Sequence, residues 1–200
     1  MGRWLVAVVL VAWLGAHTPA ARAELGDTAW PKFHGDLLNS GQSAFSGPTA
    51  ARVKWIYSNP ARWACRWTCP KLMSSPTLGA DGTIYLGVGF EPLCAIDPAT
   101  GTELWCTPGG GDANMSSPAV SSDGTVYMGA RDNKLWAVNP DGSVRWTFKV
   151  NTDGDILGSP AIGGDGTVYM ACNMGAYLHA LRPDGTLRWR FKIGGASKNL

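Results

Sequence analysis

The chain has 200 residues, with 17 Lys and Arg against 15 Asp and Glu, and it is rich in Gly (26), Pro (13) and Trp (10). So small a charge imbalance, with both signs interspersed, lacks the basic face that nucleic-acid binding requires. The Gly, Pro and Trp content suits short strands joined by tight turns. At the N-terminus Arg3 precedes an apolar run from Trp4 to Leu14 and then small residues ending in Ala21-Arg22-Ala23. This pattern predicts a secretory signal peptide over residues 1–23. The run is shorter than the ~18 apolar residues a spanning helix needs, so no stable membrane insertion is expected. Its removal takes away Arg3 and Arg22 and no acidic residue, leaving a formally neutral mature chain. Export to the periplasm or the exterior permits disulfides among the five cysteines, and an odd number leaves at least one unpaired.

Residues 24–51 read as an N-terminal extended segment. After them comes an unusual loop, Asn59 to Lys71, reading NPARWACRWTCPK. Trp63 and Trp67 could stack a ring-shaped or extended ligand while Arg62, Arg66 and Lys71 hold an anion. Equally, Cys65 and Cys69 could pin a surface loop whose tryptophans serve as cover. Their C-x-x-x-C spacing matches neither a redox or zinc C-x-x-C nor a haem attachment motif.

From here the sequence repeats. Asp-Gly-Thr recurs at Asp81, Asp123 and Asp165, a period of 42 residues, and fixed self-similarity of that length marks a repeat architecture. The middle copy contains four short apolar runs, SPAV, TVYMG, KLWAV and SVRWTF. They are separated by Asp123-Gly124, Arg131-Asp132-Asn133 and Pro140-Asp141-Gly142. Those are hairpin signals, because Gly takes positive φ without steric cost and Asp bonds its own backbone. Four strands in meander order make one propeller blade, placed at about residues 72–107, 115–150 and 157–193. Pro76, Pro118 and Pro160 fall in the first strand of each blade; Pro cannot donate to a ladder, so that strand is the inner edge.

The third and fourth strands carry a second repeated phrase, AIDPATGTELW at Ala95 to Trp105, AVNPDGSVRW at Ala137 to Trp146 and ALRPDGTLRW at Ala180 to Trp189. Setting Ala95 opposite Trp105 places a small residue beside a large one, and the same pairing returns at Ala137 with Trp146 and Ala180 with Trp189. The alternation of Val144, Trp146 and Phe148 puts the tryptophan on a face that a neighbouring blade must cover. The register that opposes Ala95 and Trp105 also opposes Cys94 and Cys106, which could bond across the hairpin. Cys172 is then a buried, inert thiol.

Other candidates carry less chemistry. Asn151 to Asp155 (NTDGD) alternates oxygen ligands, but Gly falls fourth and Ile162 stands at the twelfth position, so it is no EF-hand loop. His34 and His179 have no acid or base partner in sequence. Ser116, Ser117 and Ser159 lack a general base. No catalytic, cofactor-binding or metal residue is assigned.

AIDPATGTELW fits the tryptophan-docking pattern A-x-D-x-x-x-G-x-x-x-W through Ala95, Asp97, Gly101 and Trp105, and so resembles pyrroloquinoline-quinone-type (PQQ-like) β-propellers. Ala137, Gly142 and Trp146, and Ala180, Gly185 and Trp189, repeat it in shortened form, with Asn139 and Arg182 in place of the Asp, a change expected to weaken the turn's cap. Trp30 to Trp55 is similar to the opening segment of such proteins. The resemblance implies an all-β fold, a partial β-propeller of four-stranded antiparallel blades over residues 52–200. Residues 52–58 would be a closing strand that completes the last blade, and Trp55 a docking tryptophan. Three blades and an orphan closing strand imply missing C-terminal blades or self-association, with both ends exposed. For function the resemblance implies either of two classes. One is a non-enzymatic scaffold that binds a protein partner in the cell envelope. The other is part of a quinoprotein dehydrogenase holding pyrroloquinoline quinone and calcium, for which no adjacent cysteine pair or haem motif is present. Carbohydrate or small-ligand binding through the Trp63–Trp67 loop is a third possibility.

N-terminal sequencing of the exported protein should find cleavage after Ala23; a chain beginning at Met1 and fractionating with membranes contradicts the signal-peptide reading.

Overall fold

The computed structural model describes residues 31–32, 52–57, 74–88, 91–108, 116–150, 156, 158–172 and 176–193. The signal peptide, His34, the 59–71 loop and the 151–155 run lie outside these residues. All twelve regular elements described are strands. They form three four-stranded antiparallel sheets, each a meander of consecutive strands. The first blade contains β1 (Thr77–Leu78), β2 (Ile84–Val88), β3 (Glu91–Ile96) and β4 (Glu103–Cys106). The second contains β5 (Ala119–Val120), β6 (Val126–Gly129), β7 (Lys134–Val138) and β8 (Val144–Lys149). The third contains β9 (Ala161–Ile162), β10 (Val168–Cys172), β11 (Tyr177–Leu181) and β12 (Leu187–Lys192).

The turns follow the sequence signals. Gly124 has a φ of 81° in the β5–β6 turn, and Asn133 supplies the left-handed residue of the β6–β7 turn at 62°. The first strands are shorter than the sequence suggests. Pairing starts at Thr77, Ala119 and Ala161, one residue after each proline, because the missing N–H delays the ladder. The inner edge is also not wholly bare, since the amide of Val120 donates to the carbonyl of Pro31 at 3.0 Å.

The second sheet is buried on both faces, so its central strands read as nearly continuous apolar runs. Tyr85, Leu93 and Ala95 of the first blade meet Val120, Val126, Met128, Trp136 and Val138 of the second. The opposite face of the second, with Tyr127, Leu135 and Ala137, meets Ile162, Val168, Met170, Cys172 and Leu181 of the third. Serines tie the inner strands together: Ser75 N–H donates to Ser117 Oγ at 2.9 Å, and Ser117 N–H donates to Ser159 Oγ at 2.9 Å. Ser116 Oγ meanwhile accepts from the Gly129 amide at 3.0 Å. Ser116 Oγ also donates to the Gly158 carbonyl of the third blade at 3.3 Å, so the serine repeat is structural, both hydroxyls tying one blade to its neighbour.

One feature was not legible in the simple alternation. Ala137 pairs with Trp146 while Val138 pairs with Val144, which leaves Arg145 as the extra residue of a β-bulge. The same bulge falls at Leu104 and Arg188. Val144 therefore lies on the face opposite Trp146, and only Phe148 joins the tryptophan against the third blade. The bulge also re-aims the extra side chain. Arg145 bonds Asp123 at 2.8 Å and Thr125 at 2.7 Å, and Arg188 bonds Asp165 at 2.7 Å and Thr167 at 2.9 Å. The first blade has Leu104 at this position, exposed, and Asp81 accepts from the amide and hydroxyl of Thr83.

The Thr167 hydroxyl and amide, with the Arg188 guanidinium, hold the Asp165 carboxyl down at about 2. At Asp123 burial works in the opposite direction, but the hydrogen bonds from Ser121 and Arg145 outweigh it and lower the pKa. A depressed carboxylate contributes its stability above its unfolded value, 3.8 for Asp165, and loses it as pH falls toward the folded one. The contribution of these aspartates to the denaturation midpoint should therefore be level from neutrality to about pH 4 and fall between about pH 4 and pH 2, separate from the loss that His179, with its lowered pKa, gives as pH drops below its ordinary value of 6.5. Asp165→Asn should flatten part of that fall, measured by urea titration at stepped pH.

Candidate functional site

The repeated phrase builds the junctions between blades. Trp105 leaves the outer strand of the first blade, and its Nε1–H donates to the carbonyl of Pro140 in the β7–β8 turn of the second at 3.0 Å. Its ring lies over Gly142: a Cβ on that glycine would sit 2.7 Å from the ring carbon Cδ2. Trp146 repeats this on the third blade, donating to Pro183 O at 2.9 Å and covering Gly185, where a Cβ would also meet Cδ2 at 2.7 Å. The glycine is required twice over, because its φ is 87° at Gly142 and 85° at Gly185 and because the indole occupies the space of a side chain. Each tryptophan is held from behind by a tyrosine of its own blade, with ring centroids 5.9 Å apart for Tyr85 and Trp105, 5.7 Å for Tyr127 and Trp146, and 5.9 Å for Tyr169 and Trp189. These tyrosines were missed in the sequence reading, although their spacing of 42 residues was visible in DGTIY and DGTVY.

Asp97, Asn139 and Arg182 open the three turns. Asp97 Oδ1 accepts from Ala99 N–H at 2.6 Å. The shorter turns keep their cap two residues later: Asp141 Oδ1 accepts from Ser143 N–H at 2.9 Å, and Asp184 Oδ1 accepts from Thr186 N–H at 2.9 Å. The cap expected to weaken at Asn139 and Arg182 is therefore kept, because the carboxylate has moved along the turn.

Trp55 docks on the first blade in the same way. Its Nε1–H donates to Pro98 O at 3.0 Å, and a Cβ on Gly101 would lie 2.5 Å from the indole. Residues 52–57 lie outside the three sheets described. With Tyr57, Trp55 packs on Val88, Cys94 and Ile96. This corrects the expectation that the first blade's outer face is bare, since the orphan segment covers it. At the other end Trp189, Phe191 and Ile193 are 41%, 62% and 60% exposed.

The disulfide candidates separate. Cys94 and Cys106 are bonded, directly opposed across β3 and β4 with a Cα–Cα distance of 4.1 Å. Cys65 and Cys69 lie outside the described residues, as do Arg62, Trp63, Arg66, Trp67 and Lys71. Cys172 is a free, buried thiol whose pKa burial pushes up to about 11, so it is not a nucleophile at neutral pH. It is not isolated: its Sγ lies 3.5 Å from Nδ1 of His179, the partner that sequence could not supply. Burial, aided by the charge of Arg190, lowers the His179 pKa and keeps the ring neutral. The bonded cysteines oppose each other across strands, unlike the adjacent pair that the resemblance would call for beneath a stacked quinone.

The PQQ-like family model described as outer membrane protein assembly factor BamB matches residues 25–199. The chain belongs to that family. No curated protein matches it. Among solved structures, BamB from Moraxella catarrhalis is 18% identical with a TM-score of 0.51, the match covering 60% of this chain and 36% of that one. The quinohemoprotein alcohol dehydrogenase ADHIIG from Pseudomonas putida HK5 is 22% identical with a TM-score of 0.52, covering 61% and 20%. Virginiamycin B lyase from Staphylococcus aureus is 20% identical with a TM-score of 0.50, covering 60% and 41%. This family member thus spans less than half the length of each structure. Likeness at these identities is likeness of fold, and propellers with this fold include both an assembly factor and enzymes.

Trp146→Ala should destabilise by about 2–4 kcal/mol, somewhat below a full core truncation because the ring is half-buried. Trp189→Ala should cost under about 1 kcal/mol. Gly185→Ala should approach the larger loss, since it adds both a clash and an unfavourable φ. Denaturant titration of the three variants checks this ordering, and equal effects of Trp146→Ala and Trp189→Ala contradict it.

Proposed function

We propose that the chain belongs to an exported, non-enzymatic β-propeller of the cell envelope that acts as a platform for another protein. Membership of the assembly-factor family carries this reading. Physical support comes from the surfaces that the blades leave open. In the 52–57 segment Trp55 and Tyr57 turn inward, while Val53 and Ile56 are 79% and 81% exposed. A segment with outward apolar side chains is suited to being covered by another protein's apolar surface. The exposed Trp189 face similarly suits a further blade, supplied by more of the same protein or by a second copy. Among the described residues no helix is long and apolar enough to cross a membrane, and the predicted leader supplies the route of export.

A photo-crosslinking residue at Ile56, introduced into the natural gene product and activated in growing cells, tests the reading. A crosslink to a distinct envelope protein is expected. Crosslinks confined to the protein's own blades, together with quinone-dependent alcohol oxidation by the purified protein, would overturn it in favour of the dehydrogenase class.

A further inference from the structure

The first blade departs from its repeat on one face. The bulge at Leu104 pairs Ile96 with Glu103 and Ala95 with Trp105, while Cys94 pairs with Cys106. In a regular strand Glu103 and Cys106, three residues apart, would point to opposite faces. The extra residue returns them to the same one. The sulfur atoms of Cys94 and Cys106 and a carboxylate oxygen of Glu103 lie within 4.8 Å of one another. The other blades carry nothing comparable: Val144 and Leu187 stand at the position of Glu103, and the cysteine pair is replaced by Trp136 with Thr147 and by His179 with Arg190.

We propose that this hairpin, once its disulfide is reduced, binds one thiophilic divalent cation of the zinc or cadmium class through Cys94, Cys106 and Glu103. Two thiolates and one carboxylate form a donor set that such ions accept in tetrahedral geometry, with water in the fourth position. Tyr57 donates its hydroxyl to Glu103 Oε2 at 2.7 Å, an outer contact of the kind that orients a ligating carboxylate. Burial grades from Cys94, fully buried, through Cys106, half-buried, to Glu103, exposed, which gives the ion a path from solvent.

The chemistry balances with a dithiol as reductant. It supplies two electrons and two protons, becomes a disulfide itself, and opens the Cys94–Cys106 bond to two thiols. The arriving cation displaces both thiol protons to solvent, forming two metal–sulfur bonds and one metal–oxygen bond. Cation and disulfide are alternative occupants of one hairpin, so oxidation expels the ion and the ion protects the sulfurs.

The test uses the full chain with Cys65→Ser and Cys69→Ser, reduced with a dithiol, freed of it anaerobically and titrated with cadmium. A saturable thiolate-to-cadmium absorption at one equivalent is expected in the reduced protein and none in the oxidised form. Cys94→Ser should abolish it, and Glu103→Gln should weaken the affinity about tenfold or more. Absence of the band, its survival in Cys94→Ser, or unchanged affinity in Glu103→Gln would overturn the assignment. Peptide-mapped alkylation of the reduced, unsubstituted chain avoids variants that fail to fold. Cadmium should protect Cys94 and Cys106, and equal labelling with and without the ion would overturn the proposal.

Discussion

Each blade junction described depends on an indole ring lying over a glycine whose neighbouring proline carbonyl accepts the indole proton. The arrangement satisfies three requirements together. It covers a large apolar ring, it gives the ring's one polar group a partner, and it fills space that only a glycine leaves vacant. It also couples blades in one direction, because the tryptophan always belongs to the blade before and the turn to the blade after. An array built this way has unlike ends, one that receives an indole and one that offers it.

This polarity organises the rest of the molecule. The bulge in each outer strand keeps the tryptophan, and in the second and third blades the phenylalanine two residues on, on the forward face while sending the residue two before the tryptophan to the rear face. The residue between them is released to the rim, where Arg145 and Arg188 bond the aspartates of the first turns. The first blade uses the same backbone for a different purpose. Its rim residue is Leu104, and its rear face carries a disulfide and a carboxylate beneath Tyr57. The backbone pattern is therefore stricter than the side-chain pattern, and local chemistry enters where one blade abandons the repeat.

The two ends differ in consequence. The receiving end is occupied, since Trp55 and Tyr57 lie on the first blade although the chain reaches them through residues distant in sequence from that blade's turn. The offering end is open, with Trp189 already braced by Tyr169 in the manner of the two docked tryptophans. A scaffold reading draws on this asymmetry: a surface arranged to accept a further sheet is also one that can be shared with another protein.

The 42-residue period, the Asp-Gly and Pro-x-Gly turns and the pairing of alanine with tryptophan were legible in the sequence. These are local properties, since turn chemistry and hairpin register depend on residues close in the chain. The opposition of Cys94 and Cys106 followed from that same register. What the sequence could not assign was decided between elements. A bulge of one residue is invisible to an alternating pattern yet reverses the face of Val144 and brings Glu103 to Cys106. The cover on the first blade depends on Trp55 reaching a glycine far along the chain, and the lowered pKa of His179 depends on its burial, with the charge of Arg190 on the neighbouring strand adding to it. Local physics determined the blade; the placement of each side chain against the next blade came only with tertiary structure, because burial and hydrogen bonding there are shared between residues that no sequence spacing connects.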